Sequence, residues 1–360
     1  MSSQDLISRH LLRRSWLSRA LIPLSQINAF YQRIRRKKAA QSAWRAPCKV
    51  ISIGNITSGG SGKTPFCIYL AQLLQTKGIA VAVSHRGYKG AFESTPTLIS
   101  RGAGSLYDVS DTGDEAGLIA KRLSGIPVVV GKDRRAALTL LLSQFPATDV
   151  VILDDGFQHQ KVARDIDFVC FDSQTGLGNG LLLPAGYLRE PLDAIAPDDV
   201  LIVNNKGQRT PSPAFLAQLK KQSEQLFHCQ MAPSAYVDMA GTTMAAEDLA
   251  RERCVLVSGI ANPASFSEAV AASGIKVRKH LVYVDHYHYS DPKVIARIAT
   301  LCGKLGATRL ICTEKDLMKL YRYSHLLPPL VALRIDAACT EQEQLLSLIL
   351  NRLNLAHISG

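Results

Sequence analysis

No run of about 18 or more apolar residues occurs anywhere in this 360-residue chain, so no segment of it reads as a membrane-spanning helix. None of its eight cysteines, Cys48, Cys67, Cys170, Cys229, Cys254, Cys302, Cys312 and Cys339, forms a C-x-x-C pair, and several lie inside apolar runs. That is how reduced, buried thiols are used in a cytosolic protein. Internal repeats and low-complexity tracts are missing as well. Acids are scarce in one region: residues 1–45 carry ten Lys/Arg against a single acid, Asp5, and so hold nine of the twelve net positive charges. A nucleic-acid surface would line a folded groove with such charge and interleave it with aromatics, so this distribution argues against nucleic acid as a partner. Arginines interrupt each candidate apolar core near the N-terminus and no small-residue cleavage site follows, which argues against a signal peptide.

What the basic segment does have is an apolar stripe. On a helical wheel Leu6, Ile7, Leu11, Leu17, Leu21 and Ile22 share one arc of about 160°, with Arg9, Arg13 and Arg19 opposite. Pro23 interrupts, and Ile27, Phe30, Tyr31 and Ile34 lead into Arg35-Arg36-Lys37-Lys38. Both tryptophans, Trp16 and Trp44, lie in this region. A basic amphipathic stretch with aromatic anchors suits a membrane interface, where apolar burial and anionic head groups both hold it. The alternative is an ordinary helix packed on the body with a solvated basic face.

The centre of the chain is Thr57-Ser58-Gly59-Gly60-Ser61-Gly62-Lys63-Thr64. It follows a β-branched run, Lys49 to Ile53, and precedes Phe66, Tyr69, Leu70, Leu73 and Leu74 at helical spacing. Strand, glycine loop and helix make a phosphate cradle: backbone N–H groups turn onto phosphate oxygens, Lys63 reaches the β and γ phosphates, and the Thr64 hydroxyl suits Mg²⁺. The usual first glycine is replaced by Thr57.

Strands at 49–53, 79–84, 128–130, 150–153, 168–171 and 200–203, with helices at 63–76, 114–124 and 133–143, alternate as in a mostly parallel α/β sheet covered on both faces. Two short strands are expected within 226–240. A second alternation then follows, with strands at 254–258, 277–283, 309–312 and 330–334 and helices at 263–273, 292–305, 314–320 and 341–354. The chain divides on this reading into a basic membrane-surface segment (1–45), a P-loop domain (46–225) and a smaller α/β domain (226–360) joined through a narrow ribbon or linker. The last helix is free to pack back on the first domain.

Several acids and cations fit phosphate chemistry. Val150 to Leu153 is a buried strand ending in Asp154 and Asp155, carboxylates able to hold Mg²⁺ directly or through water. Asp114 and Glu115 open a helix after Gly113; they either complement the helix dipole or face the γ-phosphate, one on the metal and one as base. His286 and His288 have no third ligand at a suggestive spacing, so His286 is either a surface group or one oriented by a carboxylate. The glycine-rich run from Gly178 to Pro191, with Asn179 and Arg189, is long enough to be a binding loop. Lys132, Arg134 and Arg135 follow a strand where cations meet phosphate.

Together these residues resemble the tetraacyldisaccharide 4′-kinase, or lipid A 4′-kinase, family. The resemblance is carried by Ile53 to Pro65, Gly113-Asp114-Glu115, Asp154 to His159, the 178–191 loop, Asp285-His286-Tyr287 and Thr313-Glu314-Lys315-Asp316. It implies a P-loop kinase that uses ATP and Mg²⁺ to phosphorylate the 4′-hydroxyl of a lipid-linked glucosamine disaccharide. It also implies a peripheral location on the cytoplasmic face of the bacterial inner membrane, with no obligate protein partner evident. In that family the loop also carries Thr at the position of Thr57. By resemblance Lys63 and Thr64 serve phosphates and Mg²⁺, Asp114 is the base with His286 as partner, and Glu115 and Asp154 or Asp155 serve the metal. Asn179 and Arg189 face the disaccharide, as does Arg86, with Arg134 a further substrate contact. Ser84-His85-Arg86-Gly87-Tyr88-Lys89-Gly90 departs from the family's S-R-G-Y-G-G, His85 and Lys89 standing where small residues are usual. Two other readings stay open at this point: a soluble P-loop ATPase or ligase with a small polar substrate, and a membrane-recruited nucleotide switch.

Overall fold

Val- and Ile-rich runs form the central strands, and their near-complete burial places them in a sheet covered on both faces. The computed structural model describes residues 11–207 and 210–355. Its strands are β1 (Lys49–Gly54), β2 (Val81–His85), β3 (Thr97–Ser100), β4 (Val128–Val130), β5 (Val150–Asp154), β6 (Ile166–Asp172), β7 (Val200–Lys206), β8 (Leu226–Val237), β9 (Thr243–Met244), β10 (Cys254–Ser258), β11 (Val277–Val282), β12 (Arg309–Thr313) and β13 (Leu330–Cys339). The helices that position the site are α1 (Trp16–Ala20), α2 (Ile22–Gln41), α3 (Lys63–Thr76), α4 (Asp114–Arg122), α5 (Arg134–Gln144), α6 (Glu314–Leu320) and α7 (Gln342–Leu353).

Among the described residues these strands join one sheet in the order β11-β10-β12-β13-β8-β7-β6-β1-β5-β2-β4-β3, with β9 beside β8. Pairing is parallel except at β13–β8, β8–β9 and β3–β4. β1 lies between β5 and β6, and β5 lies between β1 and β2. The carboxyl ends of β1, β2 and β5 therefore converge, which is where an open α/β sheet gathers ligands.

Two short strands were expected over 226–240, but β8 is a single strand of 12 residues followed by the two-residue β9. Residues 226–231 pair parallel with β7 and residues 229–237 antiparallel with β13, so the strand bridges the two. Pro233 is tolerated because the register shifts beside it, between Arg334 and Ile335, so the missing N–H falls at an irregularity. β3 is an antiparallel edge strand that the alternation did not suggest. α3 buries Phe66, Leu70 and Leu74 against Ile51, Val81 and Val83, and α7 brings Leu345, Ile349 and Leu353 into the same core.

The wheel over residues 6–22 assumes one continuous helix. Leu6 and Ile7 lie outside the described residues, and beyond Leu12 the chain leaves the helix and restarts at Trp16, with Ser15 accepting from the Ser18 N–H as N-cap. In α2, Ser25 and Ala29 are buried against the body, while Leu24, Ile27, Phe30, Tyr31 and Ile34 are exposed. Small residues pack inward, while large apolar side chains face outward together with Arg33, Arg35, Lys37 and Lys38, which an ordinary surface helix does not do.

Candidate active site

The glycine loop leaves β1 beside the end of β5 and enters α3. Gly62 caps α3 in the left-handed region at φ +80, and a Cβ there would also lie 2.7 Å from Asn204 Nδ2, so both backbone and space demand glycine. The loop is braced on two sides. Asn204 Nδ2 donates to Ser61 O at 2.5 Å and Lys206 Nζ to Gly60 O at 2.7 Å, both from the end of β7. From the 178–191 loop, Tyr187 O accepts from Ser58 N–H at 2.8 Å, and Arg189 N–H donates to Ile56 O at 2.7 Å. Thr57 is buried and bridges to Leu188, so the phosphate loop and the long glycine-rich loop form one unit.

Lys63 Nζ donates to Asn55 Oδ1 at 3.1 Å and lies 3.4 Å from Asp155 Oδ1. Thr64 Oγ1 donates to Asp154 Oδ2 at 3.2 Å. Burial pushes Asp154 above the usual carboxylate range, whereas burial of Asp155 is outweighed by Lys63 and Arg189, which hold it below. Among the described residues no three His, Cys, Asp or Glu side chains close into a metal cage. Mg²⁺ does not need one: it binds through one or two carboxylates plus phosphates and water. The donors present are oxygens, Ser61 Oγ is buried with no hydrogen-bond partner beside the phosphate path, and Asp155 Oδ1 is buried with no hydrogen bond. These residues fit Mg²⁺.

Asp114 begins α4 directly after Gly113, whose φ of +83 and approach to Tyr88 O (2.7 Å from a notional Cβ) leave no room for a side chain. Asp114 Oδ2 receives Lys319 Nζ at 2.9 Å and faces His286 Nδ1 at 3.3 Å. Burial opposes its ionisation, but His286 and Lys319 outweigh that and hold the carboxyl at about 2. His286 comes from the turn after β11 in left-handed backbone at φ +60, with its N–H on Gly259 O. Glu115 pairs with Lys315 at 2.6 Å, which holds it well below the usual carboxylate range, and its other oxygen lies 3.5 Å from His85 Nε2. A polar chain thus runs from Thr64 through Asp154, His85 and Glu115 to Lys315, linking the phosphate loop to α6.

The remaining sequence-predicted residues are placed differently. Arg134 is buried and donates to the Asp154 carbonyl at 2.7 Å, bracing the end of β5. Asn179 is buried in its own loop, with Nδ2 on Ala185 O at 2.9 Å and Oδ1 accepting from Leu181 N–H. Arg86 pairs with Glu93 at 2.8 Å and stacks over Tyr88. Arg189 is half-buried near Asp155.

Four further residues, Lys319, His85, Glu190 and Arg36, hold the site together without any local pattern that gives them a role in it. Lys319 stands three residues after Asp316 on α6, and that spacing puts both on one face beside Asp114, where a lysine on a helix otherwise reads as solvent-facing. Arg36 of α2 pairs with buried Glu190 at 2.7 Å and stacks over Phe157 at 4.5 Å, tying the basic segment to the loop after β5.

A family model described as tetraacyldisaccharide-1-P 4′-kinase matches residues 17–354. A tetraacyldisaccharide 4′-kinase of Syntrophus aciditrophicus is 37% identical over 317 residues, covering 85% of this chain and 84% of its own. One of Chromobacterium violaceum is 35% identical, covering 89% of each. Among solved structures, LpxK from Aquifex aeolicus in complex with ATP superposes with a TM-score of 0.75 at 28% identity, covering 94% of this chain and 99% of that one. The chain belongs to the tetraacyldisaccharide-1-P 4′-kinase family.

Proposed function

We propose that this chain is an ATP-dependent kinase that moves the γ-phosphate onto the 4′-hydroxyl of a tetraacylated glucosamine disaccharide 1-phosphate, at the surface of the membrane that holds this lipid. The observation that carries the reading is the Asp114–His286 contact standing one residue from Glu115, which connects through His85 and Asp154 to Thr64 of the phosphate loop. Mg²⁺, held by Thr64 with Asp154, Asp155 and Glu115, would neutralise charge on the β and γ phosphates. Lys63 swings from Asn55 and Asp155 to the transferred group. Asp114 accepts the hydrogen bond of the sugar hydroxyl and aims its oxygen in line with the phosphorus; the new O–P bond forms as the bond to the β-phosphate oxygen breaks. A carboxyl at about 2 is a weak base, so Asp114 chiefly orients the hydroxyl and takes its proton late, which a loose phosphoryl transition state allows. His286 holds Asp114 in place and can share the proton that Asp114 takes from the hydroxyl.

Residues 46–225 supply the phosphate loop and Asp114, and 226–360 supply His286, Lys315 and Lys319, so the site would be assembled from two lobes. Arg189 and Arg86 would meet the acceptor's sugar or phosphate, with Asn179 and Arg134 bracing the loops around it. Residues 1–45 would lie on the membrane surface. Support comes from the outward stripe of Leu24, Ile27, Tyr31 and Ile34 among arginines and lysines, while no described helix is long and apolar enough to cross a bilayer.

The test is transfer from γ-labelled ATP, with Mg²⁺, to the detergent-dispersed disaccharide lipid. Labelled lipid from wild type and none from Lys63→Ala is expected. Phosphate released only to water would overturn the reading.

A further inference from the structure

His85 ends β2 with 2% of its surface exposed, at the carboxyl edge where β1, β2 and β5 converge. Its Nδ1 accepts from the Gly87 N–H at 2.9 Å. That bond uses the Nδ1 lone pair, which leaves the ring's hydrogen on Nε2. Nε2 faces Glu115 Oε2 at 3.5 Å and Asp154 Oδ2 at 3.9 Å. Each of those carboxylates has a further partner, Thr64 Oγ1 on Asp154 and Lys315 Nζ on Glu115. Two carboxylates brought together would repel each other and turn apart. A donor lodged between them, with its ring orientation set by a backbone N–H, holds both oxygens toward one point.

We propose that His85 is a positioning residue for Mg²⁺: through Nε2–H it keeps Asp154 and Glu115 aimed at a cation bound beside Thr64. The proposal rests on the reading above, in which those carboxylates serve the metal. It does not place His85 on the cation, because the nitrogen facing the site carries the hydrogen. It also assigns His85 no contact with phosphate, so the metal-free affinity for nucleotide should not depend on this side chain.

The geometry suggests a pair of variants. Asparagine at 85 can still accept from the Gly87 N–H through its oxygen but is too short to reach Glu115. Glutamine carries its amide nitrogen to about the position of Nε2. The experiment is calorimetric titration of full-length protein with ATP, in EDTA and over a series of Mg²⁺ concentrations, with thermal melts to show that each variant is folded. For His85→Asn the Mg²⁺ concentration that half-restores tight nucleotide binding should rise about tenfold or more, the usual effect of removing an outer partner of a metal ligand, and His85→Gln should stay within about threefold of wild type. Affinity in EDTA should be the same in all three proteins. A wild-type Mg²⁺ response in His85→Asn, equal impairment in His85→Gln, or a matching loss of affinity in EDTA would each overturn the proposal. Asp154→Asn separates the two readings. If it leaves the Mg²⁺ response unchanged, the metal assignment fails and takes the proposal with it. If it weakens that response and His85→Asn does not, the proposal alone fails.

Discussion

Lys319 Nζ lies 2.9 Å from Asp114 Oδ2, joining α6 to α4 through two buried charges. Lys319 also stands 3.6 Å from Asp316 and over the Tyr289 ring, so a single ammonium is shared by two carboxylates. The carboxylate proposed to orient the acceptor hydroxyl therefore owes its ionisation to His286 and Lys319, both in the other half of the chain.

Removing that ammonium leaves two buried carboxylates without their lysine, Asp114 with His286 alone and Asp316 with neutral donors only. Lys319→Met should cost about 3–5 kcal/mol at neutral pH, the usual result of breaking a buried pair from one side. Asp114 at about 2 lies below the ordinary carboxyl value of about 3.9, so its stabilisation is complete above that value and is lost as pH falls toward 2. Urea midpoints of wild type and variant should accordingly converge as pH drops through about 4 to 2. A gap that stays constant over that range would show that Asp114 is not the group involved.

Asp114→Asn keeps the shape of the site but removes the anion, and His286→Ala removes its partner. Each should lower turnover by about a hundredfold or more while leaving ATP affinity near wild type, since neither side chain contacts the phosphate loop. Steady-state rates with separate nucleotide-binding titrations distinguish this from a folding defect, and near-normal turnover in either variant contradicts the assignment.

The outward stripe of α2 offers a test free of folding effects. Ile27 is 66% exposed and Tyr31 61%, so Ile27→Glu with Tyr31→Glu should leave the melting temperature alone. Binding to vesicles containing anionic lipid should fall by about tenfold or more, from two lost apolar side chains worth roughly 1.5–3 kcal/mol each when fully buried. Co-sedimentation measures it directly, and unchanged binding would place the membrane contact elsewhere.

Asp199 gives the opposite pH signature from Asp114. Burial first, and then Asp167, raises it to about 7, while its carboxylate accepts from Ala196 N–H at 2.8 Å. A carboxyl raised above its unfolded value costs stability as pH climbs from about 4 to 7. Asp199→Asn keeps the acceptor oxygen and should be neutral near pH 4 and stabilising by on the order of 2–4 kcal/mol at pH 8. Denaturation at the two pH values decides it; an equal effect at both would refute the account.

Much of the fold was legible because the strands are short runs of Val, Ile and Leu between turn residues, and period and composition reveal such elements. Cys254–Ser258 and Val128–Val130 fall where the pattern puts them. β8 and β13 were harder. β13 continues through Arg334-Ile335-Asp336, half-buried residues that look like a strand ending, because its partner β8 covers them only after the chain has returned. The break at Ser15 was hidden for a similar reason: the apolar period runs on through it while a local N-cap starts a new helix at Trp16.

The phosphate loop is readable from local residues alone, since glycines at fixed offsets, a lysine and a threonine between strand and helix have few other uses. The sequence likewise marked Asp114, Glu115, Asp154, Asp155 and His286 as residues for chemistry. Which of these meet depends on packing between distant elements. Asp114 and His286 stand 172 positions apart, and Lys319 stands 205 from Asp114; nothing in local spacing encodes such a contact. The same holds for His85, a single histidine at a strand end until the parallel order β1-β5-β2 sets it beside Asp154. Local sequence sets backbone conformation over a few residues, whereas the field at a carboxylate is summed over all the elements packed around it.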